Sequence, residues 1–524
     1  MKYVKKISLL IAVCVFLLCG CGEDKNSENA DKTNTDTANE TGTETDMADG
    51  NGEAENEADT PEAFIYVEGY SLGPGVSKLI LKFDSEINSV EAENAKIKTA
   101  GIERKVTDVY LCDADGSKTG DASGCVAFEL TDEHMMECSP FTQGERSRVW
   151  TDSYPVEISI PEFKAGDKTY PLQLETDCIS NRICPDAELF SYRSSYTGTY
   201  KNPLTEKQEE LTLQMAAYEP ETLKDGEKNP LLIWLHGASE GGTDPDVTIL
   251  GNKVSALAKE GIQSAFKAGN ETGAYILAVQ CDTYWMDEGD GTNGAGSGDS
   301  RYTQALMDTI SDYLKHNEDV DTDRIYLAGC SNGGYMTMNM IISYPDFFAA
   351  AVPVCEAYSF YVLERDDEDK YVFSQGNPYQ RDDGVWTIEY DAPKGRQVGA
   401  MGSLITDDIW MTEDKIQKIA DMPIWFVASA DDPIVSVNYY MLPTYKALKQ
   451  EGSENCWVSL FETYGHSAWV PFLDNQVTGV QDEEQLLASE KDFQTAPADE
   501  GGGVLQAAEY GSVFEWLNAQ KKGD

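Results

Sequence analysis

The strongest chemical signal in this chain is a serine in a glycine-rich turn. Residues 329–333 read Gly-Cys-Ser-Asn-Gly, directly after an apolar run at 325–328 and directly before a segment with helical spacing. A serine on a tight strand-to-helix turn exposes its hydroxyl, and the flanking glycines relieve crowding at that turn. The start of the helix also favours negative charge that develops nearby. The pattern predicts that Ser331 is a nucleophile.

A base for this serine has to come from only four histidines. His134 lies in a strand-rich region far upstream, and His316 is at the polar end of a predicted helix that precedes the serine. His236 follows a strand and precedes a glycine, which suits a backbone loop better than a base. His466 is on a loop after the last predicted strand and follows the serine, as the chain order nucleophile, acid, base requires. Elimination therefore selects His466.

A carboxylate that orients the base should lie between the serine and the histidine, at the carboxyl end of a strand. The apolar run at 424–429 is such a strand, and Asp431 and Asp432 follow it directly. Glu462 is a weaker third candidate. The spacing alone leaves both aspartates open.

Two N–H donors are needed where charge develops on the attacked carbonyl. Residues 235–242 read Leu-His-Gly-Ala-Ser-Glu-Gly-Gly after the first strongly apolar strand, and we expect them to form the oxyanion loop. The N–H groups of Ala238 and Asn332 are the predicted donors. This chemistry requires no metal or organic cofactor. Three aromatic residues near these loops are candidates to line a substrate pocket: Trp285, Trp469 and Tyr335.

From about residue 181 to the end, apolar strands alternate with amphipathic helices. The predicted strands are 231–235, 275–279, 325–328, 348–354, 422–429 and 457–461. The predicted helices are 254–268, 302–315, 332–344, 440–450 and 511–522. This alternation predicts an α/β fold with a mostly parallel sheet covered by helices on both faces.

Residues 63–180 have a different pattern, with short alternating runs separated by Gly/Asp turns. Such runs predict a small all-β domain, and we expect an Ig-like sandwich. A jelly roll fits nearly as well. No residue in this region is a candidate for catalysis.

Residues 1–21 are typical of an export signal. Three lysines precede the apolar run 7–18, which is too short for a membrane-spanning helix. Residues 18–21, Leu-Cys-Gly-Cys, resemble the lipobox of bacterial lipoproteins, which implies cleavage before Cys21 and diacylation of its thiol. Residues 22–62 contain fourteen acidic residues and two lysines, which predicts a disordered acidic tether. We therefore expect an extracytoplasmic lipoprotein, anchored at the cell surface or in the periplasm.

The composition narrows the partners of the chain. Its formal net charge of −52 disfavours binding to nucleic acid.

Nine of the twelve cysteines follow the signal, so at least one thiol is left without an intramolecular partner. The absence of a CxxC pair argues against a structural zinc site. Two disulfides are compatible with the spacing: one between Cys178 and Cys184, and one between two of Cys112, Cys125 and Cys138.

Residues 323–335 and 347–355 resemble the predicted-peptidase esterases, a group of α/β-hydrolases. That group is similar to polyhydroxybutyrate depolymerase-like, feruloyl-esterase-like and prolyl-oligopeptidase-type enzymes, and the resemblance covers about 300 residues. It implies an α/β-hydrolase domain over 181–524 and places the acid at the Asp-Pro step, which is Asp432. Some members carry an Ig-like N-terminal domain. The long acidic insert at 356–418 departs from the group, and so does Asn332, where many members have Met.

These observations predict a serine hydrolase that works through an acyl-enzyme. The first hypothesis is a carboxylesterase for short-chain, aryl or carbohydrate-linked esters, whether small molecules or polymer-linked. The second is a prolyl-oligopeptidase-type peptidase, although no region is large enough to form a propeller that would gate peptides. A third, from a different class, is a surface binding protein built on an inactive hydrolase. The membrane is expected as a partner only through the lipid anchor.

Overall fold

A computed structural model describes residues 60–221, 226–267, 269, 271–380, 386–489, 500–503, 505 and 510–523. The export signal, Cys21 and nearly all of the acidic tether lie outside these residues. Within the described part of the chain, no helix is both long enough and apolar enough to cross a bilayer.

The N-terminal region is all-β. Its strands are β1 (Glu62–Tyr70), β2 (Gly73–Ile87), β3 (Val90–Glu93), β4 (Lys96–Thr99), β5 (Ile102–Arg104), β6 (Val106–Cys112), β7 (Ser123–Leu130), β8 (Phe141–Gln143), β9 (Arg148–Trp150), β10 (Pro155–Ala165), β11 (Lys168–Asp177) and β12 (Arg182–Ile183). One sheet has the order β12-β1-β2-β7-β6, and the other has the order β11-β10-β4-β5 with β3 also on β10. Buried and outward side chains alternate along β1, as a half-buried strand requires. The Ig-like type stays a prediction.

The second region contains the remaining strands and all the described helices. Its strands are β13 (Tyr192–Lys201), β14 (Gln208–Tyr218), β15 (Asn229–Leu235), β16 (Tyr275–Gln280), β17 (Val320–Cys330), β18 (Ala350–Val354), β19 (Tyr361–Leu363), β20 (Gln375–Gln380), β21 (Trp386–Asp391), β22 (Gln397–Val398), β23 (Leu404–Ile409), β24 (Ile424–Ser429) and β25 (Cys456–Phe461). Its helices are α1 (Pro185–Glu188), α2 (Pro245–Gly251), α3 (Glu260–Gln263), α4 (Thr303–His316), α5 (Asn332–Ser343), α6 (Glu413–Ile419), α7 (Met441–Gln450), α8 (Trp469–Leu473), α9 (Glu483–Ala488) and α10 (Val513–Ala519).

An eight-stranded sheet of order β13-β14-β16-β15-β17-β18-β24-β25 organises this region. The pairings from β16 to β25 are parallel, whereas β13 and β14 add an antiparallel edge. Side chains of β15 alternate between two apolar clusters, since Leu231 and Ile233 pack on one face and Leu232 and Trp234 pack on the other. A sheet covered on both faces is the arrangement that near-continuous apolar strands favour.

One local prediction is wrong, and the possible disulfides are not found in the described part of the chain. The segment predicted as one helix at 254–268 is broken into a 3₁₀ turn at Val254–Ala258, the short helix α3 and a second 3₁₀ turn at Ser264–Phe266, because Lys259 is extended between them. Among the described residues, neither disulfide that the spacing allows is formed, since the nine cysteines from Cys112 to Cys456 are buried free thiols.

The N-terminal region packs directly on the second region. Val247 and Leu250 of α2 belong to the same apolar cluster as the strands β1, β2, β7 and β10. The strand β12 also lies beyond residue 180, yet it pairs with β1. The two regions therefore share an apolar interface, and it lies close to the oxyanion loop, which leads into α2.

Candidate active site

The serine turn stands where β17 ends and α5 begins. Ser331 has φ of +55° and ψ of −112°, a conformation that L residues rarely adopt. The turn packs closely against β15 and requires glycine at position 333, because a Cβ there would lie only 2.0 Å from the carbonyl oxygen of Leu235. The turn therefore holds the serine hydroxyl at the carboxyl edge of the sheet, between β15 and β18.

The three predicted side chains meet at this edge. Nε2 of His466 lies 2.8 Å from Oγ of Ser331, and Nδ1 of His466 lies 2.7 Å from Oδ2 of Asp432. His466 and Asp432 are both buried. The arrangement is a continuous chain of hydrogen bonds from carboxylate to imidazole to hydroxyl, across 135 residues of sequence.

The structure also separates the two candidate aspartates. Oδ1 of Asp432 accepts hydrogen bonds from the N–H groups of Ile434 and Val435, which leaves Oδ2 facing the imidazole. Asp431 instead accepts from the Ser429 hydroxyl and from the N–H of Gly465. Asp432 is therefore placed to orient the histidine, and Asp431 supports the loop that carries it.

The oxyanion loop is held by buried polar groups behind it. Nδ1 of His236 lies 2.7 Å from the carbonyl oxygen of Gly237, and Nε2 accepts from the N–H of Cys281 at 3.2 Å. A carbonyl only accepts, so Nδ1 must carry the ring proton. In a trans peptide the next N–H points opposite to the carbonyl. Because the C=O of Gly237 points toward the His236 ring, the N–H of Ala238 points away from that ring. Ala238 lines the cavity above Ser331.

A buried carboxyl group completes this support. Oε2 of Glu240 accepts from the N–H of Gly237 at 2.8 Å. Burial raises the pKa of Glu240 to about 7, although the Gly237 N–H and the charge of Arg148 act in the opposite direction. Burial lowers the pKa of His236 to about 4, so this ring is neutral. The loop thus depends on two buried groups, one of which titrates near neutral pH.

A cavity of about 290 Å³ opens above Ser331, and three parts of the chain form its wall. The second region supplies Ala238, Asn332 and His466 together with apolar side chains such as Ile434. The insert supplies further apolar residues, and the N-terminal region supplies the β8–β9 hairpin and nearby loops. The insert and N-terminal residues on the wall are Ala357, Ala400, Met401, Leu72, Met136, Ser139, Phe141, Thr142, Gln143 and Arg148.

Comparisons with known proteins agree with this architecture. The structure of a thermostable esterase superposes with a TM-score of 0.56 at 20% identity, covering 79% of this chain and 96% of that one. The chain has the α/β-hydrolase fold. A model described as the prolyl oligopeptidase family matches residues 299–394, which include Ser331. A stretch of 70 residues is 37% identical to poly(3-hydroxyalkanoate) depolymerase C of Paucimonas lemoignei, covering 13% of this chain and 16% of that relative.

The chain spans less than a fifth of the length of that depolymerase. The two sequence matches are therefore local, and the structural likeness at 20% identity concerns the fold alone. Together they support a serine hydrolase of the esterase or peptidase type and leave the choice between ester and peptide open.

The aromatic residues of this α/β-hydrolase are only partly placed as expected. Trp469 lies on the cavity wall, and its Nε1 donates to the Ser71 carbonyl of the N-terminal region at 2.9 Å. Trp285 and Tyr335 are not on the wall. Trp285 is fully buried beside the His236 ring, with centroids 5.0 Å apart, and Tyr335 is buried with its hydroxyl bonded to the Gly298 carbonyl. Both belong to the core that supports the site.

Proposed function

We propose that this chain is a serine hydrolase that cleaves carboxylic esters through an acyl-enzyme on Ser331. The observation that carries the proposal is the unbroken set of hydrogen bonds from Asp432 through His466 to Ser331, at the floor of an open cavity. A serine hydroxyl is a weak nucleophile until an adjacent base takes its proton, and this geometry provides that base.

In the proposed reaction, Ser331 Oγ attacks the ester carbonyl while Nε2 of His466 takes its proton. Asp432 keeps the ring in the productive tautomer and stabilises the imidazolium that forms. Negative charge on the carbonyl oxygen is met by the N–H groups of Ala238 and Asn332. Asn332 begins α5, so its N–H has no acceptor one turn earlier within the helix. The imidazolium then protonates the leaving alcohol, and water releases the acid by the reverse sequence.

Ester substrates fit the cavity better than extended peptides do. Its volume of about 290 Å³ is at the lower end of the range for small-ligand sites, about 300–1,000 Å³. Most of its lining is apolar, which suits a short acyl or aryl group. The thermostable esterase and the depolymerase are named for ester cleavage, which is in line with this preference.

Covalent labelling with a fluorophosphonate probe tests the proposal directly. We expect the purified protein to be labelled, and Ser331→Ala to lose both labelling and hydrolysis of p-nitrophenyl acetate. Ser264→Ala is a matched control, because this exposed serine lies outside the cavity and should leave both readouts intact. An unlabelled, inactive but folded wild-type protein would instead favour a binding protein on an inactive hydrolase fold.

A peptidase is the second candidate, favoured by the family match over residues 299–394. A matched pair of substrates, p-nitrophenyl acetate and a proline p-nitroanilide, separates the two activities. We expect kcat/KM for the ester to exceed that for the amide. The reverse order in a protein that still labels at Ser331 would make the peptidase assignment the correct one.

We also propose that the chain is a lipid-anchored extracytoplasmic protein, on the basis of the residues around Cys21. Two acyl chains on one thiol are enough for stable anchoring. Expression of the full chain in a bacterial host, followed by membrane fractionation, tests this proposal. We expect Cys21→Ser to move the protein from the membrane to the soluble fraction, whereas Cys19→Ser should not. Equal membrane retention of both variants would contradict the anchor.

A further inference from the structure

The part of the cavity wall that the N-terminal region supplies contains a positively charged side chain, Arg148. Of the described residues lining the cavity, Arg148 alone is permanently charged. The chain has 92 acidic residues and 40 basic ones, so a basic side chain at the site without an acidic partner runs against the overall charge.

Arg148 is fixed in place by one edge of its guanidinium group. Its Nη1 donates to the carbonyl oxygens of Leu72 at 2.7 Å and Gly251 at 3.2 Å. Leu72 belongs to the N-terminal region, and Gly251 ends α2. These two bonds use both hydrogens of Nη1, so the position of the group is set by backbone atoms and not by another charge.

The other edge of the guanidinium group has no protein acceptor. Nε and Nη2 carry three N–H groups, and none of them bonds to a residue that the structure describes. Within the same described ranges, no carboxylate lies within 4.0 Å of Arg148, although other arginines such as Arg193 and Arg301 have such partners. The buried acid Glu240 feels the charge of Arg148, but its carboxylate accepts from the N–H of Gly237. Arg148, which lines the cavity, therefore has three N–H donors without a protein acceptor in the described part of the chain.

We propose that Arg148 is an anion subsite of this cavity, and that the preferred substrates are esters that also carry a carboxylate. This inference rests on the proposed ester hydrolysis. A carboxylate is planar and matches two parallel N–H donors of arginine, so its binding there would give orientation as well as affinity. The N-terminal region thereby selects the substrate, although the reacting groups belong to the hydrolase region.

Matched esters with and without the carboxylate test the subsite on either side of the scissile bond. On the acyl side, p-nitrophenyl hemiglutarate is compared with p-nitrophenyl valerate. On the alcohol side, 4-carboxyphenyl acetate is compared with phenyl acetate. The readout is the ratio of kcat/KM for the anionic ester over that for its neutral partner, because this ratio within one variant is insensitive to a general loss of folding or activity.

We expect the wild type to prefer the anionic ester of at least one pair, and Arg148→Met to lower that ratio about 10- to 100-fold, the range for loss of a charged hydrogen-bonded pair. Arg148→Lys keeps the charge but not the fork, so its ratio should fall between the two. Arg146→Met is the matched control, since it removes the same charge two residues earlier, outside the cavity lining, and should leave the ratio unchanged.

Three results would overturn the subsite. If the wild type cleaves neutral esters in a Ser331-dependent way but prefers neither anionic ester, the subsite is wrong and the proposed hydrolase function stands. If Arg148→Met and Arg146→Met change the ratio equally, the effect is one of overall charge. If no ester of either pair is cleaved and no fluorophosphonate label is found, the proposed function fails and the subsite fails with it.

Discussion

Replacing Glu240 with glutamine removes a carboxyl group that titrates beneath the oxyanion loop. Glutamine keeps an oxygen that can accept from the N–H of Gly237, so the loop retains its bond while the ionisation is lost. The native pKa is raised from 4.5 to about 7, chiefly by burial. A native pKa above the unfolded one means that the folded state holds its proton more tightly. The stabilisation is therefore complete below about pH 4.5 and is lost as the pH rises through 7.

The size of this effect follows from the shift. At about 1.4 kcal/mol per pKa unit, the full linkage is about 3 kcal/mol, and about 2–3 kcal/mol of it falls between pH 5 and pH 8. Other buried acids, such as Glu356, have raised pKa values as well, but they are present in both proteins. The difference in the free energy of unfolding between wild type and Glu240→Gln isolates the one group.

Urea unfolding followed by circular dichroism at several pH values between 5 and 8 measures this difference. We expect the wild type to lose stability relative to Glu240→Gln as the pH rises, with most of the loss complete by pH 8. Glu240→Ala serves as the control, since it also lacks the carboxyl group but leaves the Gly237 N–H unpaired, and it should be about 1–3 kcal/mol less stable than Glu240→Gln at every pH. Parallel curves for wild type and Glu240→Gln would refute the reasoning, because they would show that Glu240 does not titrate in this range.

Two further predictions concern the reaction, and a third concerns the stability of the serine turn. Asp432→Asn should lower kcat for p-nitrophenyl acetate by about 10³- to 10⁴-fold with little change in KM, because the ring tautomer is wrong, and steady-state kinetics on a protein of unchanged circular dichroism checks this. His236→Asn should lower kcat by about 10- to 100-fold through misplacement of the Ala238 N–H, less than the 10²- to 10³-fold typical for outright loss of a donor; an effect confined to KM would contradict it. Gly333→Ala should reduce the free energy of unfolding by about 3 kcal/mol, since the added methyl meets the Leu235 carbonyl; a thermal melt identical to wild type would contradict it.

The residues of the proposed triad could be located from sequence because each one is tied to a local signal. Ser331 lies between glycines at a strand-to-helix turn, and the later histidine and aspartate follow apolar strands whose carboxyl ends must meet at one edge of a parallel sheet. The position in the sequence does not decide between Asp431 and Asp432. Both follow the same strand, and only the hydrogen bonds of the folded loop separate them.

Elements without a strong apolar pattern were missed. The edge strand β13 reads Tyr-Arg-Ser-Ser-Tyr-Thr-Gly-Thr-Tyr-Lys, in which only the three tyrosines pack on the apolar core, so the apolar alternation that indicates a strand is weak. The sequence predicts Trp285 and Tyr335 in the pocket because they are near the predicted functional loops. Proximity along the chain does not determine whether a side chain turns into the cavity or into the core.

The cavity wall shows why the substrate is harder to read from sequence than the reaction. The hydroxyl, imidazole and carboxylate come from three strand ends of one sheet, so the fold alone brings them together. The wall instead depends on contacts between distant segments, such as Trp469 with Ser71 and Arg148 with Gly251, the latter separated by 103 residues. The sequences of the short strands β8 and β9 do not indicate that their side chains line a cavity. Under the proposed function, a change in the N-terminal region alters which ester is accepted while the reaction at Ser331 stays the same, and the Arg148 variants measure this separation.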